Sequence, residues 1–197
     1  MNLSHTADLD FHLTLQTESL SLRPMQRADY EKFKTITSAP MWKHFTQDLS
    51  DDHQLKTWME NLLAARDNKA MIPFTIVDRS TNQVMGSTSF GNISERDKRL
   101  EFGWTWIGKE YQGTGVNEQI KYLMLKYSFE ALNYERVEAK TDVLNLPARY
   151  AMKRLGMIEE GVLRSHTVMT SGRRRDTIFY SVLKAEWNDL KKYNHWT

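Results

Sequence analysis

The sequence contains no cysteine, and this absence excludes several kinds of chemistry. The chain can form no disulfide, no thiolate nucleophile and no cysteine-ligated metal site. The six histidines are scattered along the chain and none pairs at ligand spacing, so we also predict no metal. A chain without thiols fits a reducing compartment, and we expect a cytoplasmic protein.

Long apolar runs and a strong net charge are missing as well. About 18 consecutive apolar residues occur nowhere, and residues 1–10 hold neither a basic nor an apolar segment, so we expect no membrane span and no signal peptide. The 27 Lys and Arg nearly balance the 25 Asp and Glu, which gives a formal charge of +2. So small a charge does not draw the whole chain to nucleic acid or to an anionic membrane.

What is present describes one folded domain. The apolar fraction of 40% and the charged fraction of 26% lie in the globular range. The 197 residues are enough for one sizeable core. We found no repeat, low-complexity segment or linker, and therefore predict a single domain over residues 1–197.

Apolar periodicity predicts helices and strands along the whole chain. The predicted helices cover 27–37, 52–68, a stretch after Gly115, 146–155 and a tail that includes Trp187. The predicted strands cover 11–24, 73–78, 83–92, 100–107, 136–141, 162–169 and 177–183. Interleaved strands and helices indicate a mixed α/β domain.

A loop with two glycines, residues 112–117, joins a predicted strand to a predicted helix. Such a junction places backbone N–H groups at the positive end of the helix dipole, and glycine lets a phosphate approach the backbone closely. The sequence Gln-Gly-Thr-Gly-Val-Asn has neither the Gly-Lys-Ser/Thr of a Walker loop nor the spacing of the dinucleotide fingerprint. From the loop alone, an ordinary turn that needs glycine for its dihedral angles is an equal alternative.

The same loop resembles the acyl-CoA pyrophosphate loop of the GNAT superfamily of N-acetyltransferases, written Q/R-x-x-G-x-G/A. Gln112 stands in its first position and Gly115 in its fourth. Asn117 departs from the sixth position, where it could act as the helix N-cap instead.

The second half of the chain extends the resemblance. Asn145, Ala148, residues 155–157 (Leu-Gly-Met) and residues 160–161 (Glu-Gly) are similar to the family pattern N-x-x-S/A…L-G-F…E-G. The resemblance covers nearly the whole chain and is strongest to the ribosomal-protein N-terminal acetyltransferases. It implies an α/β (α+β) fold: a mixed, mostly antiparallel central sheet, helices on both faces, and a splayed pair formed by the fourth and fifth strands, 99–107 and 136–141.

The resemblance also implies a function, the transfer of an acetyl group from acetyl-CoA to a primary amine of a protein N-terminus or a small molecule. Relatives often pair through their C-terminal strands, which makes a homodimer an expectation by analogy. The implied coenzyme A contacts are the backbone of Thr105 and Ile107 and the side chain of Asn145 for pantetheine, and Gln112, Gly113, Thr114, Gly115, Val116 and Asn117 for pyrophosphate.

Glu101 is the candidate base for the acceptor amine. It stands in an otherwise apolar strand beside the implied splay, where desolvation would favour its protonated form. The alternative is a structural glutamate that faces solvent or pairs with an arginine. The two general acids common among relatives are absent, because Met152 and Ala148 occupy their positions.

Acceptor contacts are predicted from two places. Trp42 and His44 lie between the first two helices, the region that shapes acceptor specificity in the superfamily, and His166 could line the acceptor pocket from a late strand. A lone strand histidine is more often structural. Trp104 and Trp106 are predicted to be core residues, since alternating aromatic residues are typical of a buried strand.

Three consecutive arginines, 173–175, are the strongest local charge. They could contact RNA, an acidic partner or the 3′-phosphate of coenzyme A, although a solvated hairpin tip is the simpler interpretation. The alternatives to an enzyme are therefore a non-catalytic acyl-CoA-binding sensor or scaffold, favoured by the missing acids, and an RNA-associated protein that uses these arginines.

Overall fold

The computed structural model describes residues 9–196 and contains one eight-stranded sheet flanked by α-helices. The strands are β1 Leu15–Gln16, β2 Leu20–Pro24, β3 Ile72–Asp78, β4 Val84–Ser94, β5 Arg99–Ile107, β6 Arg136–Asp142, β7 Ile158–Val168 and β8 Arg174–Leu183. The helices are α1 Tyr30–Ile36, α2 Asp52–Asp67, α3 Val116–Lys126, α4 Leu146–Leu155 and α5 Trp187–Tyr193. A single π-helical turn, Tyr127–Ala131, continues α3.

The sheet has the order β1-β2-β3-β4-β5-β6-β8-β7 and is antiparallel except where β5 meets β6. A parallel pair needs a crossover, and α3 supplies it. Only Arg99–Glu101 pair with residues 136–138, although β5 continues to Ile107 and β6 to Asp142. The predicted mixed sheet with a splayed pair is therefore confirmed.

The first predicted strand, 11–24, is instead a hairpin of β1 and β2. The Thr17 N–H donates to the Leu20 carbonyl at 2.9 Å, and the Leu20 N–H donates to Thr17 Oγ1 at 3.1 Å. Threonine side chains compete with strand pairing through such local bonds, which is why the chain turns here. The strands predicted as fourth and fifth are consequently β5 and β6.

Two hydrophobic clusters cover opposite faces of the sheet, because successive strand residues point to opposite sides. Ile107 belongs to the larger cluster, beneath α3, α4 and α5, whereas its neighbour Trp106 belongs to the smaller one, beneath α1 and α2. In the smaller cluster the ring of Trp106 lies 5.3 Å from those of Phe33 and Trp42, edge to face. This cluster takes strand residues from β3, β4 and β5, and its buried members include none from β6, β7 or β8.

The α1–α2 face of β6, β8 and β7 is accordingly lined by polar and half-buried side chains. It carries Lys140 and Asp142 on β6 and Phe179 on β8. Within residues 9–196, no helix is long and apolar enough to cross a membrane.

Candidate active site

The loop 112–117 is tied to the end of β5 by side chains. Gln112 Nε2 donates a hydrogen bond of 2.9 Å to the Ile107 carbonyl, and Thr114 Oγ1 donates one of 2.6 Å to the Tyr111 carbonyl. The first position of the predicted pyrophosphate loop therefore anchors the loop on the strand, and the backbone that follows is left to face outward.

That backbone carries five consecutive N–H groups, residues 113–117, without a hydrogen-bond partner in the part of the chain that the structure describes. Gly113 and Gly115 have φ angles of 78° and 88°, a left-handed conformation that favours glycine. A Cβ placed on either glycine would meet nothing within 4 Å. Unpaired N–H groups at a helix N-terminus with open space above them fit a phosphate anion. Gly115 is the N-cap of α3, so Asn117 does not have that position.

β5 contains a bulge next to the splay. Ser87 of β4 pairs with Trp106 and Ser89 pairs with Gly103, so Trp104 and Thr105 together face a single β4 residue. Trp104 has a φ of 52°, which is strained for a bulky side chain and costs about 1–3 kcal/mol. The bulge follows the last residue that pairs with β6, so the backbone of Trp104 and Thr105 has no strand partner on that side.

Asn145 lies just beyond β6, and its side chain already has local partners. Its Oδ1 accepts from the Ala148 N–H at 3.3 Å, and its Nδ2 donates to Thr141 Oγ1 at 3.2 Å. Asn145 is thus the N-cap of α4, which ends as predicted at Gly156. The residue predicted to contact pantetheine also fixes where α4 begins.

Glu101 is buried, with 4% of its side chain exposed. Its Oε2 accepts from Lys140 Nζ at 2.8 Å and from Asn92 Nδ2 at 2.7 Å. The ammonium of Lys140 also lies 5.9 Å from the Trp104 ring centroid. Glu101 therefore neither faces solvent nor pairs with an arginine; it forms a buried ion pair with a lysine beside the splay.

Asp142, at the end of β6, holds a cluster that the sequence did not indicate. Its side chain is fully buried. Oδ1 accepts from the Leu144 N–H at 3.0 Å, whereas Oδ2 contacts the Arg173 guanidinium and lies 3.8 Å from His44 Nδ1. That nitrogen of His44 is buried and has no hydrogen-bond partner in the described chain. No local signal could have identified Asp142, because its partners are distant in sequence.

The arginine run is only in part a solvated hairpin tip, because Arg174 is exposed whereas Arg173 and Arg175 are half-buried. Arg173 pairs with Asp142, and Arg174 donates to the Ser165 carbonyl. Arg175 donates to Thr177 Oγ1 at 3.0 Å, and burial lowers the pKa of its guanidinium. The simpler interpretation of this run therefore holds for Arg174 but not for Arg173, which pairs with Asp142 at the end of β6.

His166 is exposed on β7, with Nδ1 3.1 Å from Thr177 Oγ1 and its ring edge-on to Phe179. It therefore lies on the same face as Lys140 and Asp142, at some remove from the loop 112–117. The structure groups His166 with the arginine hairpin.

A small aromatic cavity of about 40 Å³ opens between the segment after α1 and β5. Trp42, Phe45 and Trp104 contribute to its walls. Trp42 and Trp106 are buried core residues, but Trp104 is only half-buried, so the prediction of a core residue was wrong for Trp104. Its strained backbone turns the indole over Gly91, where a Cβ would stand 2.7 Å from the ring.

Comparison with known proteins identifies the family. Residues 19–158 match the acetyltransferase (GNAT) domain. The uncharacterised N-acetyltransferase p20 of Bacillus licheniformis is 28% identical over 180 residues, which are 88% of this chain and 98% of p20. YdaF of Bacillus subtilis, provisionally named a ribosomal N-acetyltransferase, is 33% identical over 54% of this chain and 57% of its own.

Solved structures agree in fold. A GCN5-related N-acetyltransferase from Brucella melitensis superimposes with a TM-score of 0.84 at 23% identity, covering 94% of this chain and 85% of its own. Mycobacterium smegmatis RimJ, solved with CoA-disulfide, gives 0.73 at 22% identity, covering 88% and 87%. In residues 9–196 no group of histidine and acidic side chains could hold a metal ion. The chain belongs to the GNAT family and is an acyl-CoA-dependent N-acetyltransferase.

Proposed function

We propose that this enzyme transfers the acetyl group of acetyl-CoA to the primary amine of a protein N-terminus or a small molecule. The observation that carries the proposal is the row of five unpaired N–H groups at residues 113–117, next to the splay between β5 and β6. These five N–H groups form an anion cradle, which matches the pyrophosphate of an acyl-CoA. The open strand edge matches the amide-bearing arm at its other end.

The residues present fit coenzyme A. Gln112, Gly113, Thr114, Gly115, Val116 and Asn117 would hold the pyrophosphate through backbone N–H groups. Pantetheine, whose amides need main-chain partners, would take the free edge of β5 at Thr105 and Ile107 and the Asn145 amide across the splay. Acetyl-CoA supplies a thioester, whose carbonyl carbon is open to attack by a neutral amine.

The bulge at Trp104 and Thr105 would supply the oxyanion donor. A backbone N–H held in place by strained geometry needs no reorganisation when negative charge develops on the thioester oxygen. Glu101 stays the predicted base for the amine. Its Oε2 is already shared by Lys140 and Asn92, so a proton taken there would compete with both contacts.

The acceptor would approach from the α1–α2 side, past Trp42, His44 and His166. The smaller hydrophobic cluster ends at β5. A large acceptor can therefore reach the ends of the strands across the face of β6 and β8. An α-amino group has an ordinary pKa of about 7.7–8.0 against about 10.4 for lysine, so far more of it is neutral near pH 7. The provisional name of YdaF, a ribosomal N-acetyltransferase, also supports a protein acceptor.

The first experiment is native mass spectrometry of the purified protein, in which we expect a retained acyl-CoA species. A panel of peptides with free N-termini, polyamines and aminoglycosides is then tested with acetyl-CoA in a thiol-release assay. The same peptides with blocked N-termini are the matched control. Binding of acetyl-CoA with no amine-dependent thiol release across the panel would favour the sensor or scaffold instead.

A further inference from the structure

The segment after α1 bridges the splay on its acceptor side. The ring of Trp42 lies 5.3 Å from that of Trp106, in the part of β5 that has separated from β6. Two residues later, His44 reaches Asp142 at the end of β6. The segment 42–44 therefore spans the opening between the two parted strands, which is where the proposed function places the thioester.

The two ring nitrogens of His44 have different surroundings. Nδ1 is buried, faces Asp142 Oδ2 at 3.8 Å and lacks a hydrogen-bond partner in residues 9–196. The side chain as a whole is 23% exposed, so the exposed part lies elsewhere on the ring. A buried polar atom without a partner is uncommon in native structures, and one explanation is a catalytic geometry that tightens when ligands bind.

We propose that His44 carries the proton of the acetyl transfer and that Asp142 is the positioning residue that orients it. This inference rests on the proposed function and moves its base role from Glu101, whose Oε2 is already held by Lys140 and Asn92, to His44. When this 3.8 Å gap tightens on ligand binding, Asp142 would accept from Nδ1–H, which would fix the tautomer and leave Nε2 as the base, as a carboxylate does for histidine in many hydrolases.

The assignment accounts for both proton transfers of the reaction. As the C–N bond forms, Nε2 takes one proton from the amine; as the C–S bond breaks, the same imidazolium gives that proton to the departing thiolate. The products are the amide and the free thiol of coenzyme A, with every proton accounted for. The chain lacks the usual general acids at Met152 and Ala148, and a histidine that returns the proton makes a separate acid unnecessary.

Arg173 shares Oδ2 of Asp142 with His44. Its guanidinium pairs with this carboxylate, which is fully buried at the end of β6. Asp142 at the end of β6 and Arg173 on the β7–β8 hairpin thus form one unit beside His44.

The test compares His44→Gln, Glu101→Gln and a matched control, His53→Gln at an exposed position of α2, with the best acceptor of the peptide panel. We expect His44→Gln to lose about 10² or more in kcat while its affinity for coenzyme A stays within twofold of wild type. His53→Gln should keep kcat within threefold. Free imidazole should restore part of the activity of His44→Ala, which loss of a purely structural residue would not allow.

Asp142 is tested by non-additivity. If Asp142 acts through His44, Asp142→Asn lowers kcat, and the double variant with His44→Gln is no slower than His44→Gln alone. If the kcat of the double variant falls by the product of the two single losses, the positioning role is overturned. A folded His44→Gln with wild-type kcat, or a loss found only in Glu101→Gln, would overturn the proton role. Absence of turnover in the wild type across the whole panel would refute the proposed function itself.

Discussion

At residue 115 the backbone adopts a conformation that valine can take only with strain, in the middle of the anion cradle. We predict that Gly115→Val lowers the affinity for coenzyme A at least tenfold, or about 1.4 kcal/mol, because the side chain fills the open space above the N–H groups. Calorimetric titration measures the loss. Gly172→Val is the matched control, since Gly172 has a φ of 78° and equally open space but lies on the β7–β8 hairpin.

The Gly172→Val control separates the loss of ligand binding at the anion cradle from the general effect of backbone strain. Both variants should lose some stability, but only Gly115→Val should lose ligand affinity. Equal affinities for coenzyme A in the two folded variants would remove the assignment of this loop.

Asn145 has a structural and a predicted binding role. We expect Asn145→Ala to lower the free energy of unfolding by about 1 kcal/mol, because the α4 N-cap is lost. It should also lower the affinity for coenzyme A several-fold, because the pantetheine contact is lost, and leave ADP binding unchanged. Asp51→Ala removes the equivalent N-cap of α2 and should leave the affinities for ADP and coenzyme A unchanged. Parallel losses for ADP and coenzyme A would mean that Asn145 acts through the fold alone.

Single residues were predictable where their signal was local. The loop 112–117 could be recognised because a glycine pattern and a strand–helix junction coincide within six residues. Asp142 could not be recognised in this way. Its role depends on contacts with His44 and Arg173, and no spacing along the chain encodes such contacts. Trp104 was misjudged because alternation says nothing about a bulge.

Within helix α3, Lys121 is buried, and burial lowers the pKa of its ammonium from 10.5 to about 8, with Arg154 adding repulsion. Below pH 8 both the folded and the unfolded chain hold this proton, so the full desolvation cost opposes folding. Between pH 8 and 10.5 the unfolded chain retains the proton and the folded chain releases it, so this group makes the free energy of unfolding rise with pH.

Lys121→Met should therefore stabilise the protein, by about 1–3 kcal/mol at pH 7, and the gain should shrink as the pH rises towards 10. Urea denaturation of both proteins at pH 7 and pH 9.5 measures the difference. Lys126→Met, at an exposed position of the same helix, is the control and should change little. A gain that did not depend on pH would contradict the desolvated ammonium.

Elements were predictable where apolar periodicity and caps agree. Residues 146–155 form α4 as expected, since Asn145 and Gly156 mark both ends. The β1–β2 hairpin and the π turn after α3 were not foreseen, because the first depends on hydrogen bonds of Thr17 and the second on packing that overrides the α-helical repeat.

On the scale of the whole molecule, β7 is an edge strand with little covering it. Val162, Leu163 and Val168 are 44%, 48% and 54% exposed. Exposed apolar edge strands readily pair with another chain. The homodimer expected by analogy stays a prediction: sedimentation velocity should show a dimer, and Val162→Lys should dissociate it. Tyr193→Lys, on an exposed surface of α5, is the control and should leave it intact. A monomeric wild type at micromolar concentration would contradict the expectation.

The short contact between β5 and β6 also has a consequence for the order of folding. The strands β3, β4 and β5 pair across short turns, whereas the joint between β5 and β6 consists of three residue pairs and requires α3 to cross over first. Pairings between residues distant in sequence cost loop-closure entropy before they stabilise the fold, so this joint should form after the meander of β3, β4 and β5. Pulse-labelling hydrogen exchange would then show protection of residues 99–101 and 136–138 after that of β3 and β4. The opening proposed to receive acetyl-CoA would then be completed only after the meander beside it has formed.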